Sequence, residues 1–291
     1  MFDVDANAAG VNNSQPTVSL GVYTITSTGN ETTSDIRFYQ TYGEFLENIY
    51  MPSSQSFCAS TIACSLPSSQ IPDLEWIRLV GGVARFRTDN GTFIEGKAGM
   101  VSVSNAGGTP HGISSFKFAT DHVYTYGVDL QQAQDADFDE PWMNARITPM
   151  YLESGVTGNV RISTEEIRGG AFEGAAVLGA TNASFVNCQT GNNANLWSPY
   201  NTLQTRPLSG IYIGPGVGSA TFVGGMNGWI GNASFAAAYT NSNAQNWGIV
   251  FGTGFPVAKY QVIGTDLFGN ASGKVGQQVS SGAGASVLVA N

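Results

Sequence analysis

The residues best suited to do chemistry in this chain are carboxylates, and they are crowded together. Asp129, Asp135, Asp137, Asp139 and Glu140 fall in one segment, with Glu153, Glu165, Glu166 and Glu173 close behind. Beyond Glu173 the only acid is Asp266, which reads as a solvated turn residue. Hydrolysis of a glycosidic bond uses two carboxyl groups at a set separation; a lyase sets a base beside a metal or an arginine. Glu165 and Glu166 are adjacent on an expected strand and so face opposite sides. The acid/base set left for a polysaccharide-cleaving enzyme is Glu166 with Glu173 or Asp139.

Other chemistries find less to work with. The alternation Asp135-x-Asp137-x-Asp139 matches the start of a calcium loop, but Glu140-Pro141 stands where the loop needs glycine and no bidentate glutamate is placed. A solvated loop is the expectation, and no metal is assigned. His111 and His122 sit in neither a Ser-His-Asp nor a metal-type spacing. Gly-x-Gly at 214–216 and 252–254 follows strands with no helical pattern after it, so a phosphate loop is not read and no cofactor is expected. Sugar contact is a different matter. Trp197, Tyr200, Tyr239 and Trp247 are flanked by Asn and Ser, and such rings stack on sugar faces while amides bond the hydroxyls. Tyr212 and Trp229 are read instead as filling the core.

The elements that must position these groups are announced by a repeat. Ser209-Gly210-Ile211-Tyr212-Ile213-Gly214 aligns with Trp247-Gly248-Ile249-Val250-Phe251-Gly252 at an offset of 38, and the offset carries on without a gap to Gly231-Asn232-Ala233-Ser234 over Gly269-Asn270-Ala271-Ser272. It places Ala220 on Ala258 and Phe222 on Tyr260. A looser copy lies upstream, where Ser184-Phe185-Val186 matches Thr221-Phe222-Val223. Self-similarity at a fixed period signals stacked units, none of which can bury its apolar side alone. Each unit reads as three short strands with Gly or Asn at the corners, where positive φ is needed, and residues 192–209 and 236–247 as loops between turns of the stack.

Three strands per coil, Gly/Asn corners and inward aliphatic or aromatic positions resemble the right-handed parallel β-helix of the pectate-lyase type. Gly-Ile-Tyr-Ile-Gly-x-Gly and Gly-Ile-Val-Phe-Gly-x-Gly look like rungs of bacteriophage tailspikes and related surface-glycan-binding spikes. The resemblance covers roughly residues 76–291 and is strongest over 160–273. It implies a homotrimer on the surface of a virion. The alternative fold is an antiparallel jelly roll or β-sandwich, which uses strands of similar composition and would suit a capsid or coat subunit.

The rest of the chain supports this frame. Residues 1–75 read as an N-terminal region for attachment or capping: a polar arm over 1–16, one strand from Thr17 to Thr26 with a change of phase near Val22, a helix over 35–50 with Tyr39, Tyr42, Phe45, Leu46 and Ile49 at helical spacing, and a Ser- and Pro-rich loop over 52–73. Residues 76–291 form the repeat domain, interrupted by an acidic insertion near 129–150. The final strand, 286–289, is placed to cap the stack or pair with another subunit.

Composition narrows the classes. Charged residues are 11% of the 291 and the net charge is -9, which excludes nucleic acid as a partner because its binders need a basic face. No run of about 18 apolar residues exists to span a membrane, and the start lacks a secretory pattern, so such a signal is either unused or already removed. Cys58, Cys64 and Cys188 are an odd count, for which reduced thiols are expected, with a Cys58–Cys64 bridge as the alternative. The reading that follows is a structural or adhesive virion protein: a spike, fibre or decoration subunit, self-associated as a trimer, joined to other virion proteins through its N-terminal region and to host surface polysaccharide through its stack. The second reading is a depolymerase using carboxylates within 129–173.

Overall fold

The structure is a computed structural model. It describes residues 2–6, 14–19, 22–27, 36–40, 75–94, 97–123, 125–145, 147–163, 166–168, 170, 173–191, 193, 209–227, 247–255, 259–267, 273–277 and 289–290. The strands in chain order are β1 (Phe2–Ala6), β2 (Ser14–Ser19), β3 (Val22–Ser27), β4 (Ile36–Gln40), β5 (Glu75–Val80), β6 (Phe86–Ile94), β7 (Ala98–Val103), β8 (His111–Val123), β9 (Tyr126–Asp139), β10 (Trp142–Ala145), β11 (Thr148–Ser163), β12 (Glu166–Arg168), β13 (Ala175–Val186), β14 (Gln189–Gly191), β15 (Ser209–Val223), β16 (Met226–Asn227), β17 (Trp247–Phe251), β18 (Tyr260–Ile263), β19 (Gly273–Gln277) and β20 (Val289–Ala290).

From β3 onward each strand pairs in parallel with the strand one coil further on, so the chain winds as a parallel β-helix. The jelly-roll alternative needs antiparallel neighbours; among the described residues antiparallel strand pairs occur only at β1–β4 and β2–β3.

Three sheets run along the axis. Sheet 1 holds β3, β5, β7, the opening parts of β9, β11, β13 and β15, then β17 and β19. Sheet 2 holds β4, the first part of β6, the opening part of β8, the later parts of β9, β11, β13 and β15, then β18 and β20. Sheet 3 holds the ends of β6 and β8, then β10, β12, β14 and β16. The long strands bend from one sheet to the next, so one element serves two faces.

Period-2 alternation decides which side chains enter the core. On sheet 1 the inward columns are Ile77–Met100–Val128–Met150–Ala175–Ile211–Ile249 and Leu79–Ser102–Leu130–Leu152–Val177–Ile213–Phe251. On sheet 2 the inward column Phe138–Ile162–Phe185–Phe222–Val262 continues from Thr88 and Ser115, whose hydroxyls bond to each other at 2.7 Å. Phe185 and Phe222 stack with ring centroids 4.8 Å apart, and Phe222 meets Phe251 edge-on at 6.3 Å. Each ring covers the one beneath, which is how a coil with too little apolar surface of its own acquires a core.

The corners are as regular as the rungs. Arg85, Gly112, Asp135 and Gly158 stack at one corner with φ of 54°, 63°, 57° and 75°. Lys117 and Glu140, then Asn187, Gly224 and Gly264, stand at a second corner with φ of 50–64°. Left-handed backbone is strained for residues with a Cβ; here the coil-to-coil hydrogen bonds Asn187 N–H to Val223 O (2.8 Å) and Gly224 N–H to Ile263 O (2.8 Å) hold the turn.

Several expectations for the N-terminal region and the acidic segment are corrected. Residues 129–150 are not an insertion: β9 runs through Asp139, and β10 and the start of β11 lie in the same segment, all in register with their neighbours. The acids occupy outward positions, so the acidic run is the outer half of ordinary strand alternation. Residues 17–26 are not one strand but parts of two, β2 and β3, paired antiparallel, and the phase change falls where the second begins. Ile36–Gln40 is a strand, not the start of a helix; the remainder of 35–50 lies outside the described residues. The polar arm contains β1 and the start of β2; these two strands close the first coil by pairing antiparallel with β4 and β3. A parallel edge left bare would invite further strands. Cys58 and Cys64 lie outside the described residues, and Cys188 is a buried thiol, in no disulfide, that donates to Ile162 O at 3.2 Å.

Candidate functional site

The proposed acid/base set is spread around the coil. Asp139 is an outward residue at the end of the β9 rung of sheet 2 and accepts a hydrogen bond from the Ser163 hydroxyl. Glu166 is outward on sheet 3, between Trp142 and Gln189, and accepts from the Trp142 indole N–H at 3.2 Å. Glu173 is fully buried just before β13, at the entry to sheet 1. They belong to three different stations on the solenoid, and Glu165 lies outside the described residues.

The Asp135-x-Asp137-x-Asp139 run forms ladders rather than a loop. Asp135 Oδ1 accepts from Asn159 N–H at 2.7 Å, Asn159 Oδ1 from Asn182 Nδ2 at 2.8 Å, and Asn182 Oδ1 from the Ser219 hydroxyl, one coil after another. Asp137 pairs with Arg161 at 3.1 Å. Each acid takes its partner 24 residues on. Among the described residues no three His, Cys, Asp or Glu gather where they could hold a metal.

Of the aromatic candidates, Trp197, Tyr200 and Tyr239 lie outside the described residues. Trp247 opens β17, half-buried against an outward apolar cluster of Ala176, Tyr212 and Val250 on sheet 1. Tyr212 is therefore buried on the outer side of the sheet rather than in the central core.

That outer side of sheet 1 carries the most chemically organised surface among the described residues. Outward positions on sheet 2 are open, with Phe116, Val223 and Ile263 at 37%, 38% and 41% exposure, whereas on sheet 1 Val101, Ala176, Tyr212 and Val250 are buried. The outward residues of β9 and β11 form a compact set. Tyr126 and Tyr151 stack with centroids 4.9 Å apart and planes 13° from parallel. Beside them Asp129 accepts a hydrogen bond from Gln131 Nε2 at 3.0 Å, and the charge of Glu153 bears on it. Register dictates the grouping: Asp129 is opposite Tyr151, and Gln131 and Glu153 follow two residues later on the same side.

Asp129 is only 6% exposed, and its carboxyl is pushed up from the ordinary 3.8 to about 6. Burial is the main cause; the Gln131 bond opposes it, and the charges of Glu153 and Glu75 add to it. Asp129 Oδ1 has no donor partner among the described residues, so keeping its own proton lowers the cost of burying this carboxyl. On the preceding coils Glu75 takes both nearby cations, Arg78 and, at 3.7 Å, Lys97.

Acids, an amide and two stacked rings can bond hydroxyl or ammonium groups and receive an apolar sugar face. The sequence signal for this set was the recurrence of apolar-x-apolar triplets, Val128-Asp129-Leu130 and Met150-Tyr151-Leu152, which places the middle residues on one outer column. Compared with protein-family models, with curated proteins and with solved structures, the chain matches none.

Proposed function

We propose that this chain is a non-enzymatic adhesive protein of a virion surface, a spike, fibre or decoration subunit that binds host surface glycan through its β-helix. The observation that carries the reading is the outer face of sheet 1, where the stacked Tyr126 and Tyr151 stand beside Asp129, Gln131 and Glu153. Trp247 lies on the same face four rungs further on, roughly 19 Å away at about 4.8 Å per strand. Between them Ala176, Tyr212 and Val250 are buried, so sugar contact is confined to the Tyr126–Tyr151 set and, separately, to Trp247. A low-charge surface and an end closed by antiparallel strands suit a rigid rod outside the cell. The trimer and the attachment to other virion proteins through residues 1–75 belong to the same proposal.

A depolymerase is the second reading, favoured by the raised Asp129 carboxyl beside Glu153. Against it stands separation. Asp139, Glu166 and Glu173 lie at different stations around the coil and do not assemble into the pair of carboxyls that glycoside hydrolysis needs. Incubation with host capsular polysaccharide or lipopolysaccharide, followed by a reducing-end assay, decides between them. Adhesion predicts binding with no new reducing ends, unchanged in Glu166→Gln and Glu173→Gln; release of reducing ends that vanishes in Glu153→Gln overturns it. Mass measurement in solution tests the trimer.

A further inference from the structure

We infer that copies of this chain meet through the outer face of sheet 2, side by side and pointing the same way, with one column of outward residues laid along the symmetry axis. This deepens the trimer reading and rests on it. Three observations carry it. The first is where the exposed apolar side chains lie. Among the described residues the exposed large hydrophobics are Phe116, Val223 and Ile263. All three fall in a single column, whose register runs Phe116–Asp139–Ser163–Val186–Val223–Ile263. From end to end that column crosses roughly 24 Å at about 4.8 Å per strand. Exposed apolar residues scattered singly are ordinary, whereas an aligned set marks a contact surface. The last three rungs, Val186, Val223 and Ile263, are consecutive and β-branched, so the contact centres on Val223.

The second observation is charge. The chain carries 21 Asp and Glu against 12 Lys and Arg, so two copies repel wherever their acids face each other. On sheet 2 from β13 onward the column is flanked by Asn182, Ser184, Ser219, Thr221 and Gln261, with no carboxylate on this face among the described residues; its one charge is the cation Lys259, just before β18. On the earlier coils the acids of the same face are matched within the chain: Asp137 by Arg161 at 3.1 Å, Glu140 by Lys117 at 3.6 Å, and Asp139 by the Ser163 hydroxyl. A charge-poor centre with a polar border is the composition of a contact between protein chains. The third is direction. The column runs along the solenoid axis, so a rotation axis parallel to it brings like rungs to one height, Val223 against the partner subunit's Val223. Attachment of every copy through residues 1–75 requires this same-way arrangement.

Sedimentation velocity of the full chain over a range of concentrations tests the inference, on wild type, on the Val223→Glu/Ile263→Glu double variant, and on Thr253→Glu, which charges an exposed turn residue off this face. We expect wild type and Thr253→Glu to form the same trimer, and the double variant to associate at least about tenfold more weakly, because it sets like charges against each other. Cysteine cross-linking gives a second readout that does not depend on tolerating charge. With oxidised glutathione, Val223→Cys and Ile263→Cys should each yield a covalent dimer beyond any seen in wild type, and Thr253→Cys should not. A trimer that persists in the double variant, or no added cross-link at either position, overturns the choice of face and leaves the trimer standing. Cross-linking at position 223 without cross-linking at 263 overturns the same-way arrangement. Wild type that stays monomeric at every concentration overturns both the face and the trimer.

Discussion

Replacing Asp129 by Asn should change how stability depends on pH, and the sign and size follow from the structure. Asp129 is buried, and its carboxyl titrates near 6 when folded against 3.8 ordinarily. Between about pH 4 and 6 the folded chain keeps a proton that the unfolded chain has released. Stability from this group is therefore greatest at the acid end, falls as pH rises through that window, and is level above it. At 1.36 kcal/mol per pH unit the loss is about 3 kcal/mol. The groups that face Asp129 are Gln131 on its own strand, Glu153 on β11, and Glu75 on β5, whose charge is largely met by Arg78 and Lys97; the β7 residue opposite, Val101, is apolar. Asn keeps the shape and has no proton to lose, so Asp129→Asn removes the penalty that wild type meets near neutrality. Urea unfolding of both proteins at pH 4, 5, 6, 7 and 8 gives the difference in stability at each pH, in which titrations common to both cancel. That difference should move in favour of the variant by about 3 kcal/mol from pH 4 to 7. A flat difference, or one that favours wild type as pH rises, would refute a buried, proton-retaining carboxyl.

Three further outcomes probe the stack. Phe222→Ala empties a position between Phe185 and Phe251 and should lower stability by about 3–5 kcal/mol in urea unfolding; a loss under about 1 kcal/mol would mean that the rings are not packed. Gly158→Val forces a Cβ into a corner with φ of 75° and 2.4 Å from Asp135 Oδ1, so it should cost at least about 1–2 kcal/mol, read as a lowered Tm. Arg161→Ala removes an ion pair whose side chains are about half exposed, and its effect should stay within about 1 kcal/mol; a larger loss would show that the outward ladders help to hold the coils together.

The repeat was readable where the chain keeps a constant loop length and misleading where it does not. Ile211 stacks on Ile249 and Ile213 on Phe251, so the offset of 38 holds in sheet 1. In sheet 2 Ala220 stacks on Tyr260 and Phe222 on Val262, two residues beyond the Ala258 and Tyr260 that an ungapped repeat selects. The later coil carries two more residues between these strands, and both sheets keep their parallel pairing. The upstream copy, Ser184-Phe185-Val186 on Thr221-Phe222-Val223, was matched in its true register.

Site residues were harder to read for a topological reason. Asp129 and Glu153 are distant in sequence, and only the parallel register of β9 on β11 sets Asp129 opposite Tyr151, with Glu153 two residues further along the same face. Acidity alone drew attention to Glu166, Glu173 and Asp139, which the bends at the coil corners send to different stations. Asp135, Asp137 and Asp139 show the converse: a spacing that matches a metal loop is produced by strand alternation, with each acid spent on the next coil.

The claim on which the functional account stands is that Tyr126 and Tyr151 form a sugar platform on the outer face of sheet 1. Saturation-transfer NMR with host surface oligosaccharide, on wild type and on the Tyr126→Ala/Tyr151→Ala double variant, tests it most directly. The account predicts transfer to sugar protons in wild type and its loss in a double variant that still unfolds cooperatively; undiminished transfer in that variant would contradict it.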